Sequence, residues 1–133
     1  MAKIMVVDDS TLARRMLKPI LLGAGHKVVC EATNGAEAVQ CYSEYLPDVV
    51  MMDITMPGED GIAAAKRIRA DFPDARIVML TAMSDDRHVM EALGSGAAHY
   101  IIKPYKGDKV LSVLDQVLAS GKNERSPRLP GLP

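Results

Sequence analysis

The chain has 133 residues, 48% of them apolar, and its 16 Lys and Arg nearly balance 17 Asp and Glu to leave a formal net charge of -1. That length and apolar fraction suit one soluble globular domain with a single core and exclude a second domain of ordinary size. No block rich in Lys and Arg is present, which excludes the footprint of direct nucleic-acid binding.

The opening "MAKIMVVDDS" runs into acid after a few apolar residues, too soon for a signal-peptide core or a membrane span. A cytoplasmic protein without membrane insertion is expected. "IMVV" from Ile4 is the first of five apolar runs of strand length. Leu12, Met16, Leu17, Ile20 and Leu21 come next at helical spacing on one face, with Ser10 or Thr11 as cap. Pro19 inside that helix removes a backbone bond and costs about 3 kcal/mol unless a kink absorbs it, so a bend is expected there. "VVCEA" from Val28 comes next, then Asn34 as a cap before Ala36, Ala38, Val39 and Tyr42. "VVMM" from Val49 leads through a loop to Ile62, Ala65, Lys66 and Ile68. "IVML" from Ile77 precedes Val89, Ala92 and Leu93, ending at Gly94. "HYII" from His99 precedes the wide stripe Val110, Leu111, Leu114, Val117 and Leu118. From Gly121 the chain reads "GKNERSPRLPGLP", without apolar period, so residues 121–133 are expected to be a flexible tail. Its spacing of Pro127, Pro130 and Pro133 matches a polyproline ligand, but a linker stub is the more ordinary reading. Cys30 and Cys41 lack metal-ligand spacing and read as free, packed thiols.

Alternating strands and helices with near-continuous apolar strands indicate an α/β domain whose parallel sheet is covered on both faces. Five such units fit a flavodoxin-like doubly wound five-stranded parallel sheet of order 2-1-3-4-5 with five helices. The second strand lies at an edge in that order, and "HKVVCEAT" is more polar than the other strands.

Four of the runs end on polar groups: Asp8 and Asp9, Asp53, Thr81, and Lys103. In an open parallel sheet the carboxyl ends of the strands form the ligand crevice, so these groups should meet. Each has an ordinary explanation alone: an acidic pair as helix cap, a strand-end Thr or Lys-Pro as a turn, Tyr100 as a half-buried ring. Together, three carboxylates repel unless a cation joins them. Oxygen ligands without His or Cys favour Mg²⁺, with Mn²⁺ as a substitute. Lys103 and Thr81 would face a phosphoryl group from the other side, and the side chain placed to attack phosphorus is a carboxylate. This points to Asp53 as phosphoacceptor.

The motifs "VVDDS", "MMDITMPGEDG", "VMLTAM" and "GAAHYIIKP", in this order at the strand ends, resemble the receiver domain of two-component response regulators, most closely its stand-alone chemotaxis members; the resemblance covers about residues 3 to 120, so a receiver domain is expected over 1–120. The resemblance implies that Asp53 takes a phosphoryl group from a histidine kinase. It implies Asp9 as direct metal carboxylate, Asp8 as a water-mediated one, and Thr55 as a ligand through its backbone carbonyl. Thr81 matches the switch hydroxyl, Lys103 the lysine that contacts the phosphoryl group, Pro104 a cis-peptide turn, and Tyr100 an aromatic switch. A monomeric phosphoacceptor switch, not an enzyme, is implied, with a flagellar switch protein and a phosphatase as partners. Thr55 and Met83 stand where many members carry longer polar groups, and Glu59 replaces an apolar residue. His26, His88 and His99 read as structural or solvent-facing. The alternatives are a receiver excised from a longer regulator with a DNA-binding or cyclic-nucleotide output domain, a haloacid-dehalogenase-type phosphatase, and a flavodoxin. Thr55 stands where the phosphatase needs a second Asp, and the acidic "DDST" would repel a flavin phosphate.

Overall fold

The five apolar runs form β1 (Lys3–Val7), β2 (Lys27–Ala32), β3 (Val49–Asp53), β4 (Ile77–Thr81) and β5 (His99–Ile102) of one sheet. In this computed structural model, which describes residues 1–56, 58, 60–82, 90, 91 and 93–124, the strand order is β2-β1-β3-β4-β5 and every pairing is parallel. Helices α1 (Thr11–Gly23), α2 (Gly35–Tyr45), α3 (Gly61–Asp71) and α4 (Gly107–Glu124) connect the strands or come after them. Of the helix expected between β4 and β5, Met90, Glu91, Leu93 and Gly94 are helical, while Val89 and Ala92 lie outside the described residues. So do Glu59, Met83, His88, Pro127, Pro130 and Pro133. The last helix runs through Gly121 to Glu124, four residues into the stretch read as tail.

Alternation within the strands divides the core between the two faces. Met5, Val7, Val50, Met52, Ile77 and Met79 pack with Ala38, Tyr42, Ala64, Ala65 and Ile68 from α2 and α3. Ile4, Val6, Val49, Met51, Val78 and Leu80 pack with Leu17 and Leu21 of α1 and Val110, Val113, Leu114 and Val117 of α4. β3 and β4 are buried at every position, as central strands covered on both faces must be. Edge strand β2 is only half-buried, and a register shift after Ile4 leaves Val29 as the extra residue of a bulge.

Helix α1 departs from the reading of its face. Leu17 and Leu21 are buried and Ile20 is half-buried, but Leu12 and Met16 are 67% and 64% exposed. At 100° per residue Met16 lies a quarter-turn from Leu17, outside the narrower stripe that the sheet covers. The helix passes through Pro19, which has no N–H for the Arg15 carbonyl, without ending.

Polar caps start the helices. Ser10 Oγ accepts the Ala13 N–H at 3.1 Å, and Asp60 Oδ1 accepts that of Ala63 at 2.9 Å. Asn34 Oδ1 accepts the Glu37 N–H at 2.8 Å, while the Glu37 carboxylate reaches back to the Thr33 N–H and hydroxyl at 2.8 and 2.7 Å. His26 Nδ1 accepts the Ala2 N–H at 3.1 Å and His99 Nδ1 that of Tyr100 at 2.8 Å, which makes both rings structural. Cys30 and Cys41 are free; burial and the neighbouring Cys41 push the Cys30 thiol up to about 12. No helix among the described residues is long and apolar enough to cross a membrane.

Candidate functional site

Strand order reverses between β1 and β3, so the loops leaving their carboxyl ends turn to opposite faces and open a crevice. Parallel register delivers the polar groups to that edge. Val7 pairs with Met52, which sets Asp8 beside Asp53; Asp53 pairs with Leu80, and Thr81 with Ile102 just before Lys103. Carboxylate oxygens of Asp8, Asp9 and Asp53 all lie within 4.8 Å of one another, with Asp8 and Asp53 buried and Asp9 exposed. Lys103 Nζ is 3.2 Å from Asp8 Oδ2 and 3.6 Å from Asp53 Oδ1.

Main-chain bonds hold these side chains in place. Asp8 donates its N–H to the Ala32 carbonyl at 3.0 Å, and its Oδ1 accepts the Ser10 N–H at 2.9 Å. Lys103 donates its N–H to the carbonyl of buried Thr81 at 2.7 Å, and the Lys103–Pro104 peptide is cis, as expected. Thr55 is exposed and lies two residues beyond Asp53, in the loop that leaves β3. Tyr100 is half-buried in β5 opposite Met79 and packs against the core on the α2 and α3 side. Asp8, Asp9, Asp53, Thr55, Thr81, Lys103 and Pro104 therefore lie at the sheet's carboxyl edge, and Tyr100 on the strand leading to it.

The electrostatics are those of an unbalanced cluster. Burial raises the Asp53 carboxyl above its usual range; Lys103 opposes that shift, and Asp8 and Asp9 add to it. Burial alone would lower the Lys103 ammonium, but Asp53 and Asp8 outweigh it and hold the group above its ordinary value. Three carboxylates against one ammonium in a half-buried crevice leave room for positive charge. The donor set, all hard oxygen, fits a divalent cation of the Mg²⁺ type.

Two residues were not singled out from the sequence. A Cβ on Gly61 would collide with the Asp53 carbonyl and stand 3.0 Å from Ile54 Cα and Met79 Cε, so glycine alone lets α3 begin against the end of β3. Its N–H donates to the Ile54 carbonyl at 2.8 Å. A glycine directly after the cap Asp60, where a better helix former would ordinarily stand, was the available signal. The second is Arg14, whose Nη1 donates to the Asp8 carbonyl at 2.6 Å; its i, i+4 pairing with Lys18 on one side of α1 was the only hint.

Comparison with known proteins gives the site its setting. A model of the response regulator receiver domain matches residues 4–115. The chain is 46% identical to the chemotaxis protein CheY of Bacillus subtilis over 116 residues, 87% of this chain and 97% of that one. Against the CheY of Thermotoga maritima it is 44% identical over 115 residues, 86% of this chain and 96% of that one. Among solved structures, a CheX–CheY–BeF₃–Mg²⁺ complex from Borrelia burgdorferi superposes with a TM-score of 0.84 at 33% identity, covering 86% of this chain and 87% of that one. Family model, relatives and sheet order agree, and the chain belongs to the response regulator receiver domain family, with chemotaxis CheY proteins among its relatives.

Proposed function

We propose that this receiver is a phosphorylation-driven switch of a two-component system acting in chemotaxis, with Asp53 as the phosphoacceptor in a Mg²⁺-dependent reaction. The observation that carries this reading is the clustering of buried Asp53 with Asp8 and Asp9, within 4.8 Å, and with the Lys103 ammonium at 3.6 Å. Asp9 directly, Asp8 through water, Asp53, and the Thr55 carbonyl would hold Mg²⁺ or Mn²⁺. When bound, the ion neutralises the carboxylates and draws phosphoryl oxygens into line.

A carboxylate oxygen of Asp53 attacks the phosphorus of the donor as the bond from phosphorus to the donor breaks. With the phosphohistidine of a histidine kinase, the imidazole nitrogen leaves with the electron pair. Lys103 keeps its positive charge beside the nucleophile and afterwards beside the phosphoryl oxygens. Phosphorylation adds a charge of roughly -1.5 to -2. The Thr81 hydroxyl and Lys103 are drawn to it, and Tyr100 turns inward. Tyr100, Ile102, Pro104 and Lys106 line a cavity of about 400 Å³ beside β5, so that movement reshapes the face shared by β5 and α4. Reversing a 1:99 equilibrium takes about 5.5 kcal/mol, which a few charge-assisted contacts supply.

On this reading the protein is a cytoplasmic monomer with its receiver domain over residues 1–120. It promotes only its own phosphorylation and dephosphorylation. Its partners are a histidine kinase, a flagellar switch protein and a phosphatase; the relative in the Borrelia burgdorferi structure is held with CheX, BeF₃ and Mg²⁺. The test is incubation with acetyl phosphate, with Mg²⁺ or with EDTA, and then intact mass. Phosphate incorporation that needs Mg²⁺ and vanishes in Asp53→Asn is expected; undiminished incorporation in Asp53→Asn would overturn the assignment.

A further inference from the structure

We infer that Arg14 is a positioning residue for the metal-binding carboxylates, acting through the peptide that joins Asp8 to Asp9; the inference rests on the Mg²⁺ reading above. Its guanidinium meets three acceptors: Nη1 donates to the Asp8 carbonyl at 2.6 Å, Nε to Glu31 Oε1 at 3.0 Å, and Nη2 to Thr11 Oγ1 at 3.4 Å. The fork thus ties the β1–α1 turn to edge strand β2 and to the first turn of α1. Lys18, one helical turn on, donates to Glu31 Oε2 at 2.8 Å, so both oxygens of Glu31 are engaged and the anchor is held from two sides. The side chain of Arg14 is only 13% exposed, unlike an ordinary surface ion pair.

The carbonyl that Arg14 grips belongs to the peptide that leads directly into Asp9. Asp8 is already fixed through its N–H on Ala32, its Oδ1 on the Ser10 N–H and its Oδ2 on Lys103. Asp9 has no hydrogen bond of its own among the described residues, so its backbone at the Asp8–Asp9 peptide sets the point from which its side chain reaches the cluster. Arg14 holds that peptide at its oxygen.

Position and charge make opposite demands here, which makes the role testable. A cation placed beside a cation site repels the metal, so as a charge alone Arg14 would weaken Mg²⁺ binding. As a positioning group it strengthens it, and groups that orient metal ligands are worth about 10-fold or more in metal affinity. Calorimetric titration of the full chain with Mg²⁺, alongside melting in EDTA, compares wild type with Arg14→Gln, Arg14→Lys and Glu31→Gln. Arg14→Gln and Arg14→Lys are expected to bind Mg²⁺ about 10-fold more weakly, since neither can bridge the Asp8 carbonyl and Glu31 together. Glu31→Gln, which leaves Arg14 in place but slackens its anchor, shifts affinity in the same direction by less, and serves as the measurement should an Arg14 variant melt early. Unchanged or tighter binding in Arg14→Gln, or wild-type binding in Arg14→Lys, would overturn the inference. Failure of the wild type itself to bind Mg²⁺ is a separate result: it removes the metal reading, and this inference with it.

Discussion

Asp53→Asn should make the metal-free protein more stable, although it removes the group on which the proposed function depends. At the 4.8 Å limit that encloses the three carboxylates, an effective dielectric near 20 gives about 3.5 kcal/mol of repulsion for each of the Asp53 pairs with Asp8 and Asp9. The Lys103 ammonium at 3.6 Å returns about 4.5 kcal/mol on the same scale. The balance is unfavourable by about 2 kcal/mol. Screening at exposed Asp9 reduces that figure, and the burial of Asp53 adds to it. Asn keeps the shape and discards the charge, so a gain of about 2 kcal/mol is expected, or a melting midpoint higher by roughly 6–8 °C for a chain of this size. The assay is thermal unfolding monitored by circular dichroism in EDTA, repeated with Mg²⁺. Adding Mg²⁺ should raise the wild type more than the variant, because only the native wild-type cluster presents all three carboxylates. The pH trend has a definite sign. The Asp53 carboxyl is raised in the folded state, so the folded protein holds its proton more tightly than the unfolded chain does. Stability is lost as pH rises through the folded value, and the advantage of Asp53→Asn should fade as pH falls toward the ordinary carboxylate range. A variant that melts in EDTA at or below the wild type at neutral pH would refute the reasoning, since the cluster would then carry no net strain.

Lys103→Ala should still take phosphate from acetyl phosphate but bind its output partner no better when loaded, and Thr81→Ala should be phosphorylated without the inward turn of Tyr100. Partner titration by anisotropy and Tyr100 ring signals in NMR check these; a normal phosphorylation-dependent rise in affinity in either variant contradicts the proposed coupling. Gly61→Ala should destabilise by about 1–3 kcal/mol despite the better helix propensity of alanine, because the new Cβ meets main-chain atoms of Asp53 and Ile54 that cannot swing aside. Urea unfolding measures this, and a neutral or stabilising outcome would show that the start of α3 can shift freely.

Most of the scaffold was legible because its physics is periodic. "VVMM" and "IVML" alternate between two buried faces, and each run extends by one polar residue, Asp53 or Thr81, before the strand ends. A carboxylate at the last buried position of a central strand is expensive, and that cost is what marks it as a site residue. The cap Asn34 was equally legible, since its side chain answers a local need of the helix it starts. Leu12 and Met16 misled for a related reason. A helical period shows which residues share a side of the helix, but the width of the stripe that the sheet covers is set by how α1 sits across β1 and β2. Arg14 and Gly61 were harder still. The bond to the Asp8 carbonyl joins atoms six residues apart across a strand end and a helix, and the Gly61 contact depends on how closely α3 approaches β3. Both are properties of tertiary placement with no period in the sequence to announce them.

The unfavourable charge balance of the crevice bears on why the fold can act as a switch. If Asp53 were fully paired by Lys103, the metal-free state would be its own energy minimum and a phosphoryl group would have little to displace. Instead Lys103 divides its contacts between Asp8 at 3.2 Å and Asp53 at 3.6 Å, satisfying neither alone. Lys103 is also tied by its N–H to the carbonyl of Thr81, so the two elements that should respond to new charge at Asp53 are already linked through the backbone. On the proposed function, negative charge added at Asp53 would draw that divided lysine away from Asp8 toward the phosphoryl oxygens. The turn between β5 and α4 would carry the change, because Lys103 begins it. A sheet buried on both faces supplies a closely packed frame, and the charged groups of the crevice stand at its carboxyl edge. A ligand shifts such an equilibrium only by its differential contact with two states, and on the proposed function the shared lysine would provide that difference.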